Sequence, residues 1–372
     1  MVVPKRRLSF QNADSRSKTT TIFPKHETPE VQQLPEIIVL GPPVVFETYE
    51  KEFCSKFRIL RPWESTLPLS EFLLAHAQNT NAALCSGYFL LSTAVLRHLP
   101  SLRLVVTTSA GVDHIDLSEC RRRQISVANA STLFSADVAD LAVGLLLNVM
   151  RQISAANRLV KNGLWRKTGD YPFGSKLGGK KVGIVGLGSI GLEVARRLEA
   201  FGCIISYHSR EKKSFVLYPF YRDILELAAI SDVLVICCAL TKQTRHLIDR
   251  EVLLALGKKG FIVNIARGPI IDENELVLCL QQGLIAGAGL EVFENEPHVP
   301  EALFSLNNVV LSPHSAAFTM ESLWDSYEIT SGNLEAFFSN KPLLSPAMEY
   351  KRQNRRKSNN NVHKCPAIEE VT

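Results

Sequence analysis

From residue 37 onwards, short apolar runs alternate with stretches in which apolar residues recur every three or four positions. Ile37–Leu40, Ala82–Cys85, Leu104–Thr107 and Ile125–Val127 read as strands, and strands separated by amphipathic segments predict βαβ units and a parallel sheet. The spacing of Val138, Leu141, Leu145, Val149 and Ile153 predicts one long helix from Asp137 to about Asn162. A second series follows, with strands expected at Lys181–Val185, Cys203–Tyr207, Asp232–Cys238, Phe261–Ile265, Ala286–Val292 and Val309–Ser312. Six strands with helices between them make one complete doubly wound unit. The helix predicted from Met320 to about Ser339, carrying Leu323, Tyr327, Phe337 and Phe338, comes after that unit is finished and is expected to cross back over the first sheet. The chain therefore reads as α/β, with two Rossmann-like doubly wound parallel-sheet domains and a cleft between them. The smaller, discontinuous domain is expected at 35–130 and 316–345, and the dinucleotide-binding domain at 131–315.

Charge changes this picture only at the ends. The formal net charge is +5, which raises nucleic acid or a membrane surface as a partner. Residues 1–34 hold six Lys/Arg against three Asp/Glu, and residues 346–372 hold six against three, so the body between them is close to neutral. No nucleic-acid partner is expected. Both tails are polar and lack apolar periodicity, which predicts disorder. The N-terminal tail, with Arg6, Arg7, Ser9, Ser15 and Arg16, has the Arg/Ser-rich character of an organelle transit peptide, against which stand Asp14, Glu27 and Glu30. Cytoplasmic residence is the expectation, with a plastid or another organelle as the alternative. The eight cysteines include no CxxC pair and no His at ligand spacing, so no structural metal is expected. The apolar run Leu141–Met150 is too short to span a bilayer.

Chemistry enters at Lys181–Gly191. Gly186, Leu187, Gly188, Ser189, Ile190 and Gly191 form a GxGxxG turn that follows an expected strand and opens an expected helix. In that context the first glycine permits the tight turn, the second lets the backbone approach a pyrophosphate, and the third lets helix and strand pack closely. The helix N-terminus then offers free N–H groups to the phosphates. An enzyme that uses NAD ends the next strand with Asp or Glu for the ribose 2′-hydroxyl. Here the strand runs into Ser209 and Arg210, which suit a 2′-phosphate, Arg210 through its charged fork. NADP is the expected cofactor, with NAD as a weaker one. In the alternative, Arg210 is a solvated loop residue and Glu211 takes the ribose.

Five further stretches, Thr107–His114, Asp137–Asp140, Asn264–Gly268, Gly289–Pro297 and Ser312–His314, resemble in order the signatures of the D-2-hydroxyacid dehydrogenase family. The resemblance spans about residues 37–345 and is nearest to plant glyoxylate/hydroxypyruvate reductases. It implies a catalytic Arg, Glu and His at Arg267, Glu296 and His314. It also implies capture of a substrate carboxylate by backbone N–H groups of Ala110 and Gly111, and a homodimer, for which the helix at 137–162 offers apolar surface. Ser135, Cys238, Ala239, Leu240 and Ile265 are expected to line the cofactor, along with Arg267 and His314 themselves. In the family's Gly-Leu-Asp motif near the nicotinamide this chain has Glu291, and Ala239 stands where many relatives have Pro.

The three implied catalytic residues also make chemical sense. Reducing a 2-keto acid needs a cation that holds the carboxylate and polarises the carbonyl, which a planar guanidinium does with two parallel donors. It needs a proton donor for the oxygen that becomes hydroxyl, a role suited to an imidazole. A carboxylate on the other ring nitrogen orients and stabilises the imidazolium. All three sit beyond the C-terminal ends of expected strands, where open α/β sheets bind ligands. The expected reaction is NAD(P)H-dependent reduction of a small 2-keto acid, glyoxylate or hydroxypyruvate. Transcriptional corepressors share this fold and bind nicotinamide cofactors as a signal, and they supply the alternative. A phosphoglycerate dehydrogenase with a regulatory domain is disfavoured by the 27 residues that follow Ser345, and a formate dehydrogenase by the presence of Glu296.

Overall fold

The computed structural model describes residues 34–348, so both basic tails lie outside the described residues apart from the start of the second. Among the described residues thirteen strands follow one another. The first five are β1 (Glu36–Leu40), β2 (Arg58–Leu60), β3 (Ala82–Cys85), β4 (Leu104–Thr107) and β5 (Ser126–Ala128). The next seven are β6 (Lys181–Val185), β7 (Ile204–His208), β8 (Phe220–Tyr221), β9 (Val233–Ile236), β10 (Phe261–Asn264), β11 (Gly287–Leu290) and β12 (Val309–Leu311), and β13 is Pro346–Met348. They form two sheets, ordered β13-β5-β4-β3-β1-β2 and β12-β11-β10-β9-β6-β7-β8. Every pairing is parallel except that of β13 with β5. β3, β4, β9 and β10 are buried at every position, which is why their sequences are continuous apolar runs rather than alternations: helices cover both faces of a parallel sheet.

Three short strands and one helix break depart from the sequence reading. β2 and β8 have no buried residue, so no apolar run marks them. β13 falls within the stretch expected as a disordered tail, and pairs with β5 through Pro346 and Met348 once the chain has crossed back. The helix expected from Asp137 to Asn162 is instead two, Ser135–Arg151 and Ile153–Lys161, bent by 63°. Gln152 adopts a left-handed φ of 53° there. The Asn148 side chain accepts from Ser154 N–H (2.9 Å) and donates to Ser154 Oγ (2.8 Å), while Met150 C=O takes the N–H of Ser175. Partners from outside the helix thus satisfy the groups that a continuous ladder would have paired. The first helix packs Val138, Ala142, Leu145 and Val149 into the core of the larger sheet, whereas the second buries nothing. Among the described residues no single helix is long and apolar enough to cross a membrane.

The helix Met320–Phe338 does cross back. Its Tyr327, Leu334 and Phe337 share one apolar cluster with Ile37, Val39, Phe46, Phe53 and Val106 of the smaller lobe. Thr319 caps it by accepting from Ser322 N–H, and both hydroxyls then donate to Asp137 at the start of the opposite lobe's helix (3.0 and 2.6 Å). Leu334 is fully buried. Leu334→Ala is expected to cost about 2–5 kcal/mol in the smaller lobe, the usual range for a buried leucine. Urea unfolding followed by near-ultraviolet circular dichroism measures it, and a loss below about 1 kcal/mol would mean that this helix is not part of the lobe's core.

Candidate active site

The cleft is lined by turns that leave the C-terminal ends of β4, β10, β11 and β12. Beyond β10, Asn264 fixes the backbone by donating to Arg267 C=O (3.0 Å) and accepting from Ala266 N–H (3.1 Å). A Cβ on Gly268 would lie 1.9 Å from the carbonyl carbon of Phe293, so only glycine lets this turn press against the next loop. Arg267 is thereby aimed across the cleft. Its Nη1 donates to Ala266 C=O (2.7 Å), and its Nε and Nη2 each lie 3.3 Å from an oxygen of Asp113 in the loop after β4. A Cβ on Gly111 would sit 2.2 Å from Arg267 Nη2, so the lack of a side chain at Gly111 is what admits the guanidinium.

His314 follows β12 with a left-handed φ of 52°. Its N–H donates to Glu291 C=O (2.9 Å), and its Nδ1 lies 2.7 Å from Glu296 Oε2. Glu296 Oε1 accepts from Phe293 N–H (3.0 Å). Burial pushes the Glu296 carboxyl up, but its bonds to His314 and Phe293 and the nearby charge of Arg267 outweigh this and hold it below the usual carboxylate range. The carboxylate is therefore charged at neutral pH. Nε2 of His314 has no protein partner among the described residues.

The glycine-rich turn has the shape its sequence demands. Gly186 adopts φ 98°, and a Cβ there would lie 2.6 Å from the Cys238 backbone; one on Gly191 would lie 2.2 Å from Gly186 C=O. At Gly188 nothing lies within 4 Å of the Cβ position, so its open side is free for a phosphate. Gly188 is the N-cap of the helix Ser189–Ala200 and supplies no side-chain cap, which leaves the first N–H groups of that helix to a ligand. At the end of β7, Ser209 Oγ donates to Glu211 C=O, while Arg210 and Glu211 are both exposed and Arg210 has no ion-pair partner among the described residues. Ser135 opens its helix from a buried position and Ile265 is buried; Cys238 and Leu240 are half-buried and Ala239 exposed beside them. Burial pushes the Cys238 thiol up to about 11, so it is neutral.

Glu291 supplies a direct test of whether a cofactor fits. Its side chain is 1% exposed, and Oε1 accepts from Ala316 N–H (2.6 Å). Oε2 is the one buried side-chain polar atom among the described residues with no partner. An unmatched buried acceptor costs about 1–3 kcal/mol, and the amide of a nicotinamide ring carries the donor it lacks.

The structure thus brings Arg267, Glu296, His314, Ala110 and Gly111 to one cleft, and gathers Gly186, Gly188, Gly191 and Cys238 at the glycine-rich turn. Two neighbours were not foreseen. Asp113 lay inside a recognised stretch, but only the fold reveals Arg267 opposite it. Tyr88, from the loop after β3, donates its hydroxyl to His314 C=O (3.3 Å) and stands edge-on to the imidazole with ring centroids 5.6 Å apart; no periodicity singles it out. His114 is buried with Nε2 2.9 Å from Thr107 Oγ1, and burial lowers its pKa, so it is neutral. His208 Nδ1 bonds Tyr221 C=O (3.1 Å).

Residues 143–316 match the family described as D-isomer specific 2-hydroxyacid dehydrogenase, NAD binding domain. The chain is 51% identical over 313 residues to glyoxylate/hydroxypyruvate reductase HPR3 of Arabidopsis thaliana, covering 84% of this chain and 97% of that one. It is 46% identical over 300 residues to hydroxyphenylpyruvate reductase of Plectranthus scutellarioides, covering 80% and 95%. Among solved structures it superimposes on an NADPH-dependent glyoxylate/hydroxypyruvate reductase from Sinorhizobium meliloti, in complex with NADP and malonate. The TM-score is 0.80 at 35% identity, over 87% of this chain and 99% of that one. With half of its residues shared over nearly the whole length of a curated relative, the chain belongs to the D-isomer specific 2-hydroxyacid dehydrogenase family.

Proposed function

We propose that this protein reduces small 2-keto acids, glyoxylate and hydroxypyruvate, to 2-hydroxy acids, with NADPH preferred to NADH. The observation that carries the reading is that Arg267 reaches Gly111 across a cleft in which Glu296 holds His314 by Nδ1. Relatives that carry the name glyoxylate/hydroxypyruvate reductase support it, and they do not favour the corepressor alternative. The lobe at 131–315 takes the dinucleotide and the lobe formed by 35–130 and 316–345 takes the keto acid. When bound, the cofactor supplies the hydride that arrives at C2.

Arg267 binds the substrate carboxylate and the carbonyl oxygen with its planar fork, and Asp113 keeps that fork in place. Backbone N–H groups of Ala110 and Gly111 hold the carboxylate from the smaller lobe. His314 gives the proton at Nε2 to the carbonyl oxygen, and Glu296 fixes the imidazole and stabilises its cationic form. Gly186, Leu187, Gly188, Ser189, Ile190 and Gly191 would hold the cofactor's pyrophosphate. Arg210 and Ser209 would take a 2′-phosphate, and Ser135, Cys238, Ala239, Leu240 and Ile265 would line the remainder. Glu291, with Oε2 unpaired, would offer an acceptor to the nicotinamide end. The protein acts as a homodimer, a reading supported by the exposed Ile153, Val160, Leu164 and Trp165, which cluster on and just after the helix that buries nothing. Cytoplasmic residence belongs to the same proposal, with a plastid or another organelle as the alternative.

Steady-state reduction of glyoxylate, hydroxypyruvate, pyruvate and 4-hydroxyphenylpyruvate, each with NADPH and with NADH, tests the reading directly. The two smallest acids with NADPH should give the highest kcat/KM, and no turnover with any of them would end it.

Arg210→Ala is expected to raise KM for NADPH at least about tenfold and to leave NADH almost unchanged, because a hydrogen bond to a charged group contributes about 1.5–3 kcal/mol. Equal losses with both cofactors would remove Arg210 from the 2′-phosphate.

Glu296→Gln keeps the shape and removes a charge held in contact with His314. An imidazolium that loses its anionic neighbour gives up its proton at lower pH. The alkaline limb of kcat/KM for keto-acid reduction should therefore move to lower pH, since that ratio reports groups of the free enzyme. Profiles from pH 5 to 9 in both proteins decide it; a limb that stays in place while kcat falls would give Glu296 a different role.

A further inference from the structure

The loop after β4 turns two adjacent N–H groups in one direction, and the cause lies behind it. At the end of β5, Ala130 N–H donates to Ser109 C=O (3.0 Å), and Asn129 Nδ2 donates to Ala110 C=O (2.6 Å). In a trans peptide the N–H points away from the C=O of the same plane. Pinning these two carbonyls against β5 therefore turns the N–H groups of Ala110 and Gly111 the opposite way, and neither donates to any group among the described residues. Gly111 is also where Arg267 makes its approach. The Asn129 amide cannot be reversed, because its Oδ1 accepts from Ser131 N–H (3.1 Å).

Asn129 is in turn clamped from the crossover. Its N–H donates to Ser345 C=O (3.2 Å), and its own C=O accepts from Ser345 Oγ (2.6 Å). Ser345 Oγ accepts from Asn333 Nδ2 (2.9 Å), and Asn333 Oδ1 accepts from the N–H groups of Leu344 and Ser345 (3.0 and 3.2 Å). Asn333 lies fully buried in the helix Met320–Phe338. A polar relay thus runs from that helix to the carbonyl of Ala110.

We propose that Asn129 is a positioning residue for the keto acid's carboxylate. By holding the Ala110 carbonyl it presents the Ala110 and Gly111 N–H groups to the substrate, and Ser345 and Asn333 fix where it stands. This rests on the function proposed above. A local turn at 129–131 needs only the acceptor Oδ1, which Asp or Ser would also provide; the bond to Ala110 needs a donor, which among the two side-chain groups of Asn129 only Nδ2 supplies.

The test uses the full chain with NADPH bound and oxalate as a carboxylate probe that accepts no hydride. Asn129→Asp keeps the turn's acceptor and loses the donor, and Asn129→Ala loses the donor without adding a charge. In both, the Kd for oxalate and the KM for hydroxypyruvate should rise at least about tenfold, the equivalent of about 1.4 kcal/mol. kcat should fall by a smaller factor, and the NADPH Kd, read from cofactor fluorescence, should stay within about twofold of the parent. Parent-like oxalate binding in either variant overturns the proposal, as does a loss of NADPH binding equal to the loss of oxalate binding, which would mark a general structural role. If both variants fail to fold, Ser345→Ala removes the hydroxyl that clamps the Asn129 carbonyl and takes the Asn333 amide, and leaves the backbone bond from Asn129 N–H in place; it should weaken oxalate at least about threefold, and unchanged binding there overturns the proposal equally. A parent protein that neither binds oxalate nor reduces hydroxypyruvate would instead refute the function itself.

Discussion

The cleft depends on one close approach. Arg267 Nη2 comes so near Gly111 that a methyl group there would stand 2.2 Å away. Two backbones make this possible. Gly268 lets the turn after β10 press on Phe293, which directs the arginine outward, and Gly111 leaves room for it to arrive. Asp113 then meets the guanidinium with both oxygens. With one edge held by Asp113 and Nη1 by Ala266 C=O, the guanidinium has little further freedom to lose when it meets a ligand, so the cation stands ready where two lobes meet rather than sweeping through solvent. Each lobe contributes one half of the arrangement, and neither contains a site without the other.

A cation alone in such a place would draw in any anion, and the surrounding carboxylates restrict this. Asp113 pairs with it and Glu296 feels its charge, and the effects of the carboxylates differ with their surroundings. Glu296 is held ionised by His314, Phe293 N–H and Arg267. Tyr88 experiences the opposite influence: burial, then Glu296 and Glu291, push its phenol up, with Arg267 opposing. The hydroxyl accordingly keeps its proton and acts as a donor toward His314 C=O. The proposed proton donor is therefore held by its ring from the larger lobe and touched at its backbone from the smaller one.

Much of this was legible in the sequence, and what was missed has physical causes. The continuous apolar runs became buried strands because helices cover both sheet faces, and the glycine-rich turn could be read because Gly186 and Gly191 are forced by backbone contact while Gly188 keeps one side open. β2, β8 and β13 bury little or nothing, so they follow from neighbouring strands and leave no pattern of their own. The break at Gln152 was invisible because Val149 and Ile153 keep helical spacing across it; the deciding groups are Asn148 and Ser154, whose side chains take over backbone partners. Chemistry-bearing residues showed themselves when a turn carried them in a recognisable stretch. Asp113, Tyr88 and Asn129 act through partners far away in sequence, and no local rule exposes such pairs.

Glu291 shows how a departure from a family pattern is read differently once its contacts are known. Taken alone, the extra methylene of Glu291 relative to Asp would displace whatever the carboxylate meets. In the structure the residue is bound on both sides of His314: its C=O takes the His314 N–H, and its Oε1 takes the N–H of Ala316 two positions on. A left-handed residue such as His314 holds its conformation only if the chain around it is fixed, and these two bonds provide that. The longer side chain thus braces the histidine turn with one oxygen, and the other is left buried and unpaired. Since a carboxylate is rigid, the bond to Ala316 also sets where Oε2 stands. A group that donates to Oε2 would therefore meet an oxygen whose position depends on the His314 turn, and in the proposed reaction that single side chain would align the cofactor with the proton donor.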